Sequence, residues 1–244
     1  MIYTDFTNEL DTCGIAAGQT AVWNRDTVER GVELRMAEQR TKQSGKAESE
    51  QMRRSVRLHP IAHFKTITEH RNLVCKYCFR LGLYRQGLLH DLSKYSLEEF
   101  WRGARYYQGF RSPNDEERNQ TGLSMAWLHH KGRNRHHFEY WVDWQLTDDG
   151  RVIYAGNRMP IEYVAEMFCD RVAASRIYMK ERYTDASPYE YFARNIPYIT
   201  MHPDTIRELS EMLRVLRDEG ETAAFRYVKN RLTEERKNHA ESDE

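Results

Sequence analysis

The chain has 244 residues, room for one large domain or a domain with an extension. Lys plus Arg and Asp plus Glu each total 37, so the formal charge is zero and no global basic field argues for nucleic acid. No apolar run approaches about 18 residues, and Met1-Ile2-Tyr3-Thr4-Asp5-Phe6 lacks the charged-then-apolar order of a secretory signal, so the expectation is a soluble cytoplasmic protein without a membrane partner.

Residues 1 to 57 differ from the rest. Arg40 to Glu50 is polar throughout, the composition of a linker or extension, and Asp26 to Met36 could form a short helix on Val28, Val32 and Leu34. From Pro60 the pattern is helical. Ile61, Phe64, Ile67, Leu73, Val74 and Tyr77 recur at three- and four-residue steps, and Gly82 is a natural stop. A short helix from about Tyr84 carries Leu88 and Leu89 inward and ends at His90-Asp91. Ser96 with Glu99 has capping-box spacing for a helix from Leu97 to about Tyr107.

Ser112-Pro113 opens a helix with an acidic first turn, and Gly122 and Ser124 restart one that ends in His129-His130 before Gly132. Asn134 can cap a turn bearing His136 and His137. Leu146 to Asn157, around Asp148-Asp149-Gly150, reads as a small hairpin or excursion. Pro160 opens a helix to about Tyr178 with Val164, Met167, Phe168 and Val172 as its apolar stripe. Pro188 starts a short helix through Phe192. Pro203 starts another with Ile206, Leu209, Leu213 and Leu216, which Gly220 ends, and a last helix carries Phe225 and Val228. The fold class is all-α, with a helical domain from 58 to 234 and a polar tail from 235 to 244.

The chemistry concentrates in His70, His90, Asp91, His129, His130, His136, His137 and Asp170. Neutral imidazoles and ionised carboxylates suit first-row divalent metals. Adjacent residues on a helix diverge by about 100°, so His90 and Asp91 can share one ion only at a helix end. Each also has an ordinary reading. His70 beside Arg71 could be a half-exposed helix residue, and His90-Asp91 could be a C-terminal imidazole and a cap. Asp170 could pair with Arg171 at the surface. The two doublets are harder to dismiss, because the chain has only 10 His, though one of each doublet is expected to stay outside the ligand set. Cys75-Lys-Tyr-Cys78 lies in a helical pattern with no second such pair, so Cys13, Cys75, Cys78 and Cys169 read as thiols, not as a zinc ribbon.

The order His, His-Asp, His, His, Asp on a helical scaffold resembles the HD-domain superfamily of metal-dependent phosphohydrolases, and His90-Asp91-Leu92-Ser93-Lys94 looks like its HD-x-x-K form. Phe64 to about Val228, with His129 to His137 and Met167 to Ser175 as its strongest strings, is also similar to an uncharacterised HD-like family from bacteria and their phages. The resemblance implies an HD-like helical bundle. It implies that Asp91 bridges two metals, with His70, His90 and Asp170 on the first and one His of each doublet on the second, and that Lys94 faces substrate. Ser93 stands where such motifs commonly carry glycine, and the two doublets are closer together than in many relatives.

The expected activity is hydrolysis of a phosphate ester or anhydride on a small, nucleotide-like substrate through metal-activated water. The cofactor is one or two divalent ions, with Mn, Fe, Zn, Ni and Mg not distinguished. Lys94 is the catalytic partner of Asp91, and Lys94, Arg133, Asn134 and Arg135 are candidates to bind the phosphate. Tyr95, Trp101, Tyr106, Tyr107 and Trp127 could stack a base or belong to the core. Two alternatives remain open at the level of sequence, a di-iron oxygenase of the same superfamily and a non-catalytic module that binds a nucleotide signal. Homo-oligomerisation is left open.

Overall fold

The structure, a computed structural model, describes residues 58–242. The expectations for residues 1 to 57, including Cys13 and the Asp26 to Met36 helix, lie outside the described residues. Helix α1 spans Pro60–Arg80 and begins on its proline, whose missing N–H costs nothing in a first turn. Its buried face is His63, Ile67, His70, Val74, Tyr77 and Cys78. Ile61 and Phe64, expected on that face, are 73% and 48% exposed. Two histidines occupy the inward positions instead, so the apolar residues alone give the wrong rotation for the first two turns.

Gly82, at φ 75°, reverses the chain as expected, and the Leu83 N–H donates to the Cys78 carbonyl. The short helix α2, Tyr84–Leu89, then lies against α1 through Gly87, where a Cβ would stand 3.0 Å from the Cys78 Cβ. Leu88 and Leu89 point outward, contrary to expectation, because the glycine makes the contact. A 3₁₀ turn, Leu92–Tyr95, leads into α3, Leu97–Arg105. Ser96 caps α3 by accepting from the Glu99 N–H, but the Ser96 N–H donates to the Ser93 carbonyl. The capping box is half-formed, and the Glu99 carboxylate goes elsewhere.

Helices α4, Pro113–Thr121, and α5, Met125–Lys131, follow. The buried Glu117 of α4 receives the Ser124 hydroxyl at 2.6 Å and the Ala126 N–H at 3.2 Å, fixing the start of α5. After a 3₁₀ turn at Phe138–Trp141, strands β1, Val142–Leu146, and β2, Val152–Gly156, pair antiparallel from Val142 opposite Gly156 to Leu146 opposite Val152. The hairpin expected near 146–157 therefore begins four residues earlier. Helix α6, Ile161–Met179, packs between α1 and α8, and α7, Ser187–Asn195, closes against it. Helix α8 runs Pro203–Ser242, broken at Gly220, and continues through the positions expected as a polar tail.

The expected stripe of α6, Val164, Met167, Phe168 and Val172, is fully enclosed with Leu209, Leu213, Leu216 and Val228 of α8 and Val74 of α1. Cys78 and Cys169 lie in the same core, and Cys75 is half-buried. The fold is mostly helical with one small hairpin. No helix among the described residues is long and apolar enough to cross a membrane.

Candidate metal centre

The site begins where α2 stops. His90 is extended (φ −51°, ψ 126°) and Asp91 left-handed (φ 55°, ψ 22°), a conformation aspartate tolerates better than most residues at a cost of order 1 kcal/mol. That break turns both side chains inward at one helix end. Both are 1% exposed.

Asp91 then presents its two oxygens to two sets of groups. Its Oδ2 lies 3.5 Å from His70 Nε2 and 3.4 Å from His90 Nε2, and its Oδ1 lies 3.2 Å from His130 Nε2 and 3.5 Å from His136 Nε2. Asp170 joins the first set, its Oδ1 at 2.9 Å from His70 Nε2 and 3.7 Å from His90 Nε2. His137 stands in the second set. The Nε2 atoms of His90, His130, His136 and His137 and Asp91 Oδ1 are buried without a hydrogen bond, while Asp91 Oδ2 has the Lys94 ammonium and His70 Nε2 has Asp170 Oδ1 as an ionic neighbour. Buried polar atoms are rarely left so.

A shared cation would satisfy this pattern. Atoms at about 2.0–2.2 Å from one ion stand roughly 2.8–3.6 Å apart at octahedral to tetrahedral angles, and the separations above fall in or close to that range. Among the described residues, three groups are positioned to hold a metal: His70, His90, Asp91 and Asp170; Asp91, His130, His136 and His137; and His90, His136 and Glu166, whose close contacts are imidazole–carboxylate pairs. Mixed imidazole and carboxylate donors of this kind suit Mn, Fe, Ni or Zn.

The far side of three of the imidazoles is fixed by a carboxylate. His90 Nδ1 and His136 Nδ1 lie 2.9 and 3.1 Å from the same oxygen of Glu166, and His130 Nδ1 lies 2.9 Å from Glu99 Oε2. A carboxylate only accepts, so each Nδ1 carries a proton, and in the neutral ring the Nε2 lone pair faces Asp91. Ser93 and Asn134 complete the His130 end, with the Asn134 amide donating to Ser93 Oγ at 2.9 Å and to the His130 carbonyl at 2.8 Å. Ser93 is thus part of the support.

Charge follows the geometry. Burial pushes the Asp91 carboxyl up, but His90, Lys94 and His130 outweigh it and hold it well below the usual carboxylate range. Burial likewise opposes ionisation of Asp170, and His70 and His90 reverse it. Burial disfavours charge on His90 and His130, yet Asp91 and the flanking carboxylates raise both. Burial, with His136 and His130 alongside, holds His137 well below its ordinary value, leaving a neutral imidazole. Glu166, penalised by burial but held by His136 and His90, is down to about 2.

A family pattern described as a family of unknown function, DUF5662, matches residues 59–215. The chain belongs to DUF5662. The match begins one residue before α1 and ends inside α8, so it takes in the whole cluster of this DUF5662 protein. No curated protein and no solved structure matches the chain.

The remaining sequence candidates separate. His129 stays outside all three groups, its Nδ1 on Glu99 and its Nε2 3.6 Å from Glu98. Of the second doublet both members converge, against the expectation of one from each. Lys94 Nζ lies 2.6 Å from Asp91 Oδ2 with its side chain 26% exposed, at the edge of the cluster. Arg133 and Arg135 are exposed and engaged elsewhere, on the His129 carbonyl and on the Tyr140 and Tyr163 rings, and Asn134 is buried as a support. Of the aromatics, Trp127 lies against His130 and His137. Tyr106 is buried, Trp101 is exposed, and Tyr95 and Tyr107 bond Thr68 and Thr66. Sequence reasoning missed Glu99 and Glu166 as site residues. The signal for Glu166 was its place one turn before Asp170 on the same face of α6.

Proposed function

We propose that this DUF5662 protein is a metal-dependent phosphohydrolase acting on a small, nucleotide-like phosphoester or phosphoanhydride. The observation that carries the reading is the splitting of Asp91, one oxygen toward each of two sets of unbonded imidazoles. His70, His90, Asp91 and Asp170 would hold one ion, and Asp91, His130, His136 and His137 the other. When bound, such ions supply Lewis acidity toward a phosphoryl oxygen and lower the pKa of water from about 15.7 toward about 7.

The protein's own groups would do the rest. Asp91 stays ionised and keeps its two oxygens apart for two partners. Glu166 and Glu99 keep the Nδ1 protons of His90, His136 and His130 in place, so the neutral form of each of these rings offers its Nε2 lone pair to an ion. Lys94, held charged against burial by Asp91 and Asp170, would meet the equatorial oxygens of the phosphate. The arginines of the histidine loop are not part of this proposal, because their side chains are bound elsewhere.

The test is turnover by purified protein loaded in turn with Mn, Co, Ni, Zn and Mg, on nucleotides, cyclic nucleotides, dinucleotides and simple phosphoesters. Release of phosphate or nucleoside monophosphate that disappears in Asp91→Asn supports the reading. Failure on the whole panel with every ion overturns it.

A further inference from the structure

We propose that Glu166 couples the two cation sites, acting as one positioning residue for His90 of the first and His136 of the second. This rests on the two-site reading above and adds a connection within it. A single oxygen, Glu166 Oε1, lies 2.9 Å from His90 Nδ1 and 3.1 Å from His136 Nδ1, and the two rings stand 4.4 Å apart at 36°. Glu166 is itself 5% exposed, so water does not compete for that oxygen. On the opposite edges, His90 Nε2 faces Asp91 Oδ2 and His136 Nε2 faces Asp91 Oδ1.

The four residues therefore form a closed frame. Asp91 joins the two sites at the centre and Glu166 joins them at the rim. An ion drawing on the His90 lone pair makes its Nδ1–H a stronger donor and pulls Oε1 toward it, which shifts the acceptor that His136 shares. Occupancy of one site is thereby felt at the other without any further movement of the chain. Glu99 has no such reach, since its oxygens serve His130 of the second site and His129, which lies outside both. The two carboxylates look alike in burial and chemistry and differ only in which sites they span. That difference makes them controls for one another.

The experiment is a competitive chelator titration with zinc on wild type, Glu166→Gln, Glu99→Gln, His70→Ala and His130→Ala, with circular dichroism to confirm that each is folded. His70→Ala and His130→Ala identify which binding step belongs to which site. Glu166→Gln is expected to weaken both steps, each by about ten- to a hundredfold, and Glu99→Gln only the step that His130→Ala removes. A Glu166→Gln protein that loses one step alone, or binds both ions as wild type does, overturns the coupling. As a readout that needs no variant at residue 166, nitrogen-15 imidazole spectra of zinc-loaded wild type should show an Nδ1–H on both His90 and His136, and Nε2–H on either would overturn it. A wild-type chain that binds no zinc removes the metal reading itself, and the coupling falls with it. Two ions in wild type with no effect in Glu166→Gln would instead sink the coupling alone.

Discussion

His130 Nε2 faces Asp91 Oδ1 across 3.2 Å, both atoms buried and neither hydrogen-bonded. Its neighbour His129 points to Glu98 and Glu99 instead. His130→Ala is therefore expected to cost one equivalent of bound ion, while His129→Ala keeps both. Metal analysis after gel filtration decides this. Equal losses in the two variants would show that the doublet is assigned wrongly.

The pH dependence follows from the raised imidazoles. His90 and His130 bind protons more tightly in the metal-free fold than in the unfolded chain, so their stabilisation is complete below the ordinary value of about 6.5 and is lost as pH rises through the raised values. An ion needs the neutral rings and gains as those protons leave. The gap in thermal midpoint between metal-loaded and chelated protein should widen from about pH 6 to about pH 8. A gap that stays constant or narrows would contradict the assignment of these two rings as ligands.

Lys94 sits beside Asp91 Oδ2 at the edge of the cluster. Lys94→Ala is expected to keep its full complement of ions and to lose turnover by roughly a hundred- to a thousandfold, the scale for removing one group that stabilises transition-state charge. Side-by-side metal analysis and rate measurement separate the two effects. Loss of metal together with rate would make Lys94 structural.

Gly87 lets α2 approach α1 closely enough to deliver His90. A Cβ there meets the Cys78 Cβ at 3.0 Å and the Cys75 carbonyl at 3.2 Å. Gly87→Ala should destabilise by about 1–3 kcal/mol, a fall of about 2–4 °C in thermal midpoint per kcal/mol for a domain of this size. Calorimetry measures it. An unchanged midpoint would mean that the helices part without cost.

Much of this was legible in the sequence. Prolines at 60, 113, 160, 188 and 203 mark helix starts, and the α6 and α8 stripes were read correctly because they are apolar and uninterrupted. His90-Asp91 at a helix end was legible for a geometric reason, since two neighbours share one target only where the helix breaks. The orientation of α1 and α2 was not, because polar His63 and His70 and side-chain-free Gly87 occupy the inward positions that apolar counting assigns to Ile61, Phe64 and Leu88. Glu99 looked like half of a capping box, and no motif in the sequence singled out Glu166. Their true partners are 31 and 76 residues away in sequence, and no local pattern encodes that. The choice within the first doublet also depends on tertiary packing, which turns α5 so that His130 faces in.

The most direct test of the proposed two-ion centre is metal content by mass spectrometry on protein purified without added metal, beside Asp91→Asn. Asparagine keeps the size of the side chain and tolerates the left-handed backbone, so fold and site can be separated. Two equivalents of a divalent transition metal in wild type and none in a folded Asp91→Asn protein is the result this structure leads us to expect. A wild-type protein that carries no metal and takes up none on addition, or a variant that keeps both ions, would contradict it.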